Sequence, residues 1–143
     1  MKVGLWAVAA CLSLCSPAIS RTYTAVCENI TGVRLDDTGA RVELDNDQVR
    51  GATWTFRWSD ENPSVEMIMQ NSRGAGGAQF TQQGMRLTDG DIVTFASTLQ
   101  EALWVYTLYR NGGNRILVTQ HTTTATGDRL SGKMMAGVCR GGR

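Results

Sequence analysis

Short β-prone runs separated by turn residues make up the chain after residue 20. Apolar and polar side chains alternate within the runs, as where Trp54, Phe56 and Trp58 share one strand face. No segment after residue 20 places apolar residues at the 3.6-residue spacing of a helix. The pattern predicts an antiparallel all-β domain whose strands have one buried and one wet face.

The runs predict about eight or nine strands at the spacing of antiparallel folds. They cover residues 23–30 with 33–35, 40–44, 51–58, 65–70, 79–87, 91–99, 103–110, 115–123 and 131–140. Turns are expected at 36–39, 45–47, 111–114 and 125–128, and one helical turn at 98–102.

Tight turns between successive strands indicate a single meander. A closed or nearly closed β-barrel is the most economical arrangement, because closure removes both sheet edges. A two-sheet β-sandwich is the alternative.

The first twenty residues resemble a secretory signal peptide. Lys2 precedes an apolar stretch over 3–14, and the small residues Ala18 and Ser20 fit a cleavage site. Cleavage after Ser20 leaves 21–143 as one all-β domain. We therefore expect an exported protein, either periplasmic or secreted.

Two other interpretations of this segment stay open. One is a lipoprotein anchored through Cys11 or Cys15, and the other is a buried N-terminal helix. The apolar stretch is shorter than the roughly 20 residues that span a bilayer, so we expect no stable membrane insertion after cleavage.

Cys27 and Cys139 are the cysteines outside the signal segment, one near each end of the domain. In an oxidising compartment such an isolated pair is most simply a disulfide. Because both lie in terminal strand candidates, the bond also indicates that the first and last strands are neighbours.

The charge balance argues against two classes of partner. Without Lys2, the domain has 13 Lys and Arg against 13 Asp and Glu. A nucleic-acid-binding protein normally shows a basic excess or stripe, and a membrane-surface protein a basic amphipathic segment. We expect neither partner.

No catalytic, metal or cofactor motif survives inspection. The sequence Gly74-Ala75-Gly76 lacks the third glycine of a dinucleotide fingerprint, and Asp45-Asn46-Asp47 lacks the spacing of a calcium loop. His121 has no obvious partner to orient it as a base. Asp60-Glu61 are adjacent on a loop, so we expect a solvated pair and not a working acid/base pair. The sequence predicts no enzyme and no cofactor.

Aromatic and methionine side chains on the strands offer two hypotheses about function. A barrel of eight strands can hold one small ligand, and Trp54, Trp58, Met67 and Trp104 are the candidate lining residues for a small hydrophobic molecule. Core packing is the competing interpretation of these four residues.

The second hypothesis is a protein-interaction or inhibitor domain without a small-molecule ligand. It would use the loops at 59–64 and 72–77, or the strand at 103–108, whose sequence LWVYTL is apolar on both faces.

Overall fold

The computed structural model describes residues 20–37, 41–49, 51–72, 76–99, 101–111, 113–123 and 130–142. The predicted signal segment before Ser20 and the predicted turn at 125–128 lie outside these residues. No helix in the described ranges is long and apolar enough to cross a membrane.

Every regular element in the described residues is a β-strand. The strands are β1 (Thr22–Asp37), β2 (Val42–Val49), β3 (Thr53–Ser59), β4 (Ser64–Gln70), β5 (Gln79–Thr88), β6 (Ile92–Leu99), β7 (Ala102–Tyr109), β8 (Arg115–Thr123) and β9 (Leu130–Gly141).

The sheet closes on itself as a barrel. Antiparallel neighbours follow the order β2-β1-β3-β4-β5-β6-β7-β8-β9, and β1 also pairs with β9. Eight strands form the closed barrel and β2 is attached to it as one extra strand. The predicted all-β barrel is confirmed, and the sheet does not split into the two layers of a sandwich.

β1 is long enough to serve two neighbours on one edge. Its first part pairs with β3 from Thr22 to Cys27, and its second part pairs with β2 from Ile30 to Asp37. The register against β9 shifts between Glu28 and Thr31, and Asn29 between them has φ of 53°. This bulge bends the strand. The second half of β1 extends past the start of β3 and pairs with β2.

Two local predictions are wrong. The predicted turn at 45–47 lies inside β2, where Asp45 and Asp47 reach Arg34 and Lys133 across the sheet. Pairing with β1 thus outweighs the low strand propensity of Asp and Asn. The predicted helical turn at 98–102 is also wrong, because β6 extends to Leu99 and β7 begins at Ala102, with Glu101 at φ of 64°. Residue 100 lies outside the described residues.

Aromatic rings form the centre of the core. Phe56 stacks on Phe95 with ring centroids 5.7 Å apart, and Tyr106 meets Phe56 edge-on at 5.3 Å. All three side chains are buried. Burial of rings of this size contributes much of the hydrophobic stabilisation of a small domain.

The predicted disulfide is confirmed. Cys27 and Cys139 are bonded, and they are cross-strand partners on β1 and β9. Both cysteines are buried.

Candidate interaction surface

Three of the four predicted ligand-lining residues, Trp54, Trp58 and Met67, are buried among other core side chains. Trp54 meets Trp104 edge-on at 6.5 Å, and Trp58 meets Phe95 at 5.2 Å. Trp104 is only partly buried and packs against the edge of the core. The structure thus brings these side chains together as packing partners of one another.

The barrel interior is filled by side chains in the described part of the chain. A cavity beside Trp58 and Leu108 has a volume of about 10 Å³, which is room for about one water molecule. A small hydrophobic ligand inside the barrel would have to displace packed aromatic side chains.

Three polar side chains lie within this core. The Gln82 Nε2 donates a hydrogen bond to Ser97 Oγ. Ser97 also interacts with the Tyr106 hydroxyl, although that hydroxyl does not reach hydrogen-bond geometry with any described group. Burial raises the pKa of Tyr106, so its phenol stays neutral in the folded protein.

A charged layer lies on the inner side of the sheet where β1, β2 and β9 extend past the core. It consists of Arg34, Asp36, Asp45, Asp47 and Lys133. Arg34 pairs with Asp36 at 2.5 Å and approaches Asp45 at 3.8 Å. Lys133 Nζ lies 2.7 Å from Asp47 Oδ2, without the direction of a hydrogen bond. The charges largely neutralise one another across the three strands.

Asp36 is the carboxylate of this layer with a shifted pKa. The Ser131 hydroxyl donates to Asp36 Oδ1 over 2.8 Å. This hydrogen bond, assisted by Arg34, lowers the pKa of Asp36 against the opposing effect of burial. No group of His, Cys, Asp and Glu among the described residues is arranged to hold a metal ion. The ion pairs of this layer and the Ser131–Asp36 hydrogen bond join β1, β2 and β9 to one another.

The outer side of the same strands carries an uncharged surface, which we call the apolar face. Cross-strand partners place its side chains in two adjacent rows across β7, β8, β9, β1 and β2. One row is Leu103, His121, Gly132, Leu35 and Leu44, and the next is Val105, Thr119, Met134, Val33 and Asn46. No Asp, Glu, Lys or Arg occurs in either row.

Large apolar side chains of this face are open to solvent. Leu103 is 44% exposed, Met134 56% and Leu44 66%. A groove of about 510 Å³ runs beside Leu44 and Met134, and Lys133 also contributes to its lining. A monomeric protein rarely exposes a continuous apolar surface of this kind without a role in association.

The opposite side of the barrel has a different outer surface. Arg57 on β3 pairs with Glu66 on β4 at 3.4 Å, and Glu66 lies opposite Gln83 on β5. The outward position opposite Ile68 on β5 is the exposed Thr81. Charged side chains thus occur on the outer surface of β3 and β4.

The other residues considered from the sequence lie apart from one another. His121 lies on the apolar face between Leu103 and Gly132. Asp60 is in the loop before β4, where its side chain accepts a hydrogen bond from the Tyr23 hydroxyl at 3.3 Å. Arg86 donates to the carbonyls of Ser59 and Asp60, so this loop is held by the barrel.

Part of the loop at 72–77 lies outside the described residues. The strand at 103–108 behaves as its sequence suggests: Tyr106 and Leu108 are buried, and Leu103 faces outward. The sequence indicates this strand as a candidate surface, but the neighbouring apolar residues on β1 and β2 were not predicted to belong to it. Val33 and Leu35 flank Arg34, and Val42 and Leu44 flank Glu43, so apolar alternation at both places was the available signal.

Comparisons of the chain with protein-family models, curated proteins and solved structures found no match.

Proposed function

We propose that this protein is an exported, non-catalytic binding module that docks a partner protein on its apolar face. The observation that carries the proposal is the pair of adjacent uncharged rows across β7, β8, β9, β1 and β2. The core of a protein–protein interface is depleted in charged residues and enriched in large apolar ones such as Met. The packed interior supports a surface site over an internal one.

Export is proposed from the signal-like segment and agrees with the disulfide, since disulfides persist in oxidising compartments. The intact mass of the protein isolated from its own cells tests it. We expect the mass of a chain beginning at Arg21 with its disulfide formed. A chain that retains Met1 would overturn the predicted cleavage, and a lipid mass on Cys15 would support the lipoprotein alternative.

The docking proposal is tested by site-specific photo-crosslinking in the native compartment. A photoreactive residue replaces Met134 on the apolar face, and the control places it at Thr81 on the polar outer surface. We expect one recurring protein adduct from position 134 and none from position 81. Identical adducts from both positions, or none from either, would overturn the proposal.

A matched pair of substitutions separates binding from folding. Met134→Glu places a charge in the centre of the face, and Thr81→Glu places the same charge on the other side of the barrel. Both positions are exposed, so we expect both variants to fold. Because position 134 is now substituted, the photoreactive residue is placed at Thr119. The partner adduct should disappear in Met134→Glu and persist in Thr81→Glu.

A second candidate function is binding of a small hydrophobic molecule in the groove of the apolar face. Its volume of about 510 Å³ lies within the size range of small-molecule sites. Native mass spectrometry of protein purified without denaturation tests this candidate. We expect bound mass to be lost in Met134→Glu, and a spectrum with the polypeptide mass alone would count against it.

A further inference from the structure

β2 is the one strand of the described sheet that has a neighbouring strand on only one side. All of β2, from Val42 to Val49, pairs with the second half of β1, and its other edge has no partner in the described part of the chain. The strand has eight residues, longer than a typical strand. It contains no proline or lysine, two residues that commonly protect an exposed edge.

The two faces of β2 differ in chemistry. Val42 and Leu44 point outward and are 62% and 66% exposed. Leu44 continues the apolar face to the edge of the sheet, and Val42 lies opposite Asp37. Glu43, Asp45 and Asp47 occupy the alternate positions on the inner side.

This alternation disfavours a second copy of the chain as the occupant of the edge. Two β2 strands paired antiparallel across a two-fold axis would bring their acidic side chains opposite or diagonal to one another. Like charges in those positions destabilise strand pairing. Inward-pointing charges are a known protection against such self-association.

The same acidic side chains favour a basic strand. Asp45 is the most accessible of them, because its carboxylate is 62% exposed and its nearest cation, Arg34, is 3.8 Å away. Asp47 is engaged by Lys133 and is only 20% exposed. A lysine or arginine opposite Asp45 would therefore gain a partner without breaking a close ion pair.

We propose that the partner protein contributes an extended segment that pairs with the free edge of β2. The segment alternates apolar residues, which continue the apolar face beside Val42 and Leu44, with basic residues, which face Asp45. Main-chain hydrogen bonds supply affinity in this mode of recognition, and alternate side chains supply specificity. The inference rests on the proposed docking of a partner protein on the apolar face.

A synthetic peptide of the length of β2, in which lysine alternates with valine, is the probe. Fluorescence anisotropy measures its binding to the purified protein, and amide hydrogen exchange locates the bound peptide. We expect binding with slowed exchange within Val42–Val49. A peptide with the same composition but its lysines and valines in two blocks, and an alternating peptide with N-methylated backbone amides, should bind at least about tenfold more weakly.

A charge reversal tests the role of Asp45. Asp45→Lys should weaken the lysine–valine peptide by about tenfold or more and favour a glutamate–valine peptide instead. Glu66→Lys is the matched control, because Glu66 lies on β4, which is paired on both edges. We expect that control to leave binding unchanged.

The edge-pairing proposal would be overturned if the N-methylated peptide bound as tightly as the unmodified one. Slowed exchange outside β2, or an affinity unaffected by Asp45→Lys, would have the same consequence. Self-association of the protein with protection of β2 would also overturn it, in favour of a second copy. If crosslinking at Met134 succeeds while the peptide fails, docking on the apolar face stands and only edge pairing is lost.

Discussion

Cys27 and Cys139 are directly opposite each other on β1 and β9, with their Cα atoms 4.0 Å apart. These two strands close the barrel. The disulfide thus lies in the closing seam and joins positions separated by 112 residues along the chain. Its main contribution is to restrict the unfolded chain, because a long loop loses more freedom when its ends are tied.

Removal of the disulfide should lower stability without changing the fold. For Cys27→Ala with Cys139→Ala, the chain-entropy model gives an upper value of about 4–5 kcal/mol. Urea unfolding at neutral pH measures the difference. Wild-type protein refolded in a reductant should show a similar loss, and an unchanged melting temperature after verified reduction would contradict the assignment.

Gly32→Ala should be strongly destabilising because β1 and β9 approach closely at this point. A methyl group on Gly32 would overlap the Met134 carbonyl oxygen and lie 2.5 Å from Met135 Cα. Since backbone atoms cannot rotate away, we expect a loss of about 2–3 kcal/mol or more. Gly132→Ala is the control, because its nearest atom is Gln120 O at 3.3 Å. Equal urea midpoints for both variants would contradict this close approach.

Asp36 should stabilise the fold in a pH-dependent manner. Its lowered pKa means that the folded state binds the proton more weakly than the unfolded state does. The contribution is therefore present above about pH 4 and is lost as pH falls through the folded pKa. The difference in unfolding free energy between wild type and Asp36→Asn should shrink as pH falls through this range.

Ser131→Ala checks the physical cause of that dependence. The Ser131 hydroxyl has the largest effect on the pKa of Asp36, so the two substitutions should be non-additive in a double-mutant cycle. Additive effects, or a stability difference that is constant with pH, would contradict the role of this hydrogen bond.

Tyr106 should resist ionisation until the protein unfolds. Burial raises its pKa, so the phenol ionises at a lower pH in the unfolded state than in the folded state. The free energy of unfolding should therefore fall as pH rises above about 10. Phenolate absorbance in an alkaline titration of the native protein should therefore be the same for wild type and Tyr106→Phe. Tyr106→Phe should remove the step in absorbance that accompanies unfolding. A native titration that differs between wild type and Tyr106→Phe would contradict the burial of this hydroxyl.

Strand positions could be predicted where turn residues bound a β-prone run. The sequence predicts each strand from β3 to β9 to within about two residues, because Gly, Asn and Asp clusters separate the runs. The prediction fails at Asp45-Asn46-Asp47, where polar residues resemble a turn. β2 continues there because its backbone pairs with β1 and its carboxylates meet Arg34 and Lys133.

The candidate surface was less accessible to prediction than the strands. Leu103 could be identified because its strand is apolar on both faces, but Leu35 alternates with Val33 and Met134 adjoins Met135 as in many ordinary strands. They become neighbours only through the pairing of β8, β9 and β1. A local pattern contains no information on which distant strands pair, or in which register.

From the sequence alone, an all-β barrel with one disulfide could be inferred, because side-chain alternation and cysteine position are local and compositional properties. Only the tertiary structure decided that Trp54, Trp58 and Met67 fill the interior, and that two uncharged rows become neighbours across five strands. Packing and cross-strand register decide these features, and both depend on contacts between residues far apart in the chain. The free edge of β2 has the same origin, since an edge exists only when the order of all other strands is known.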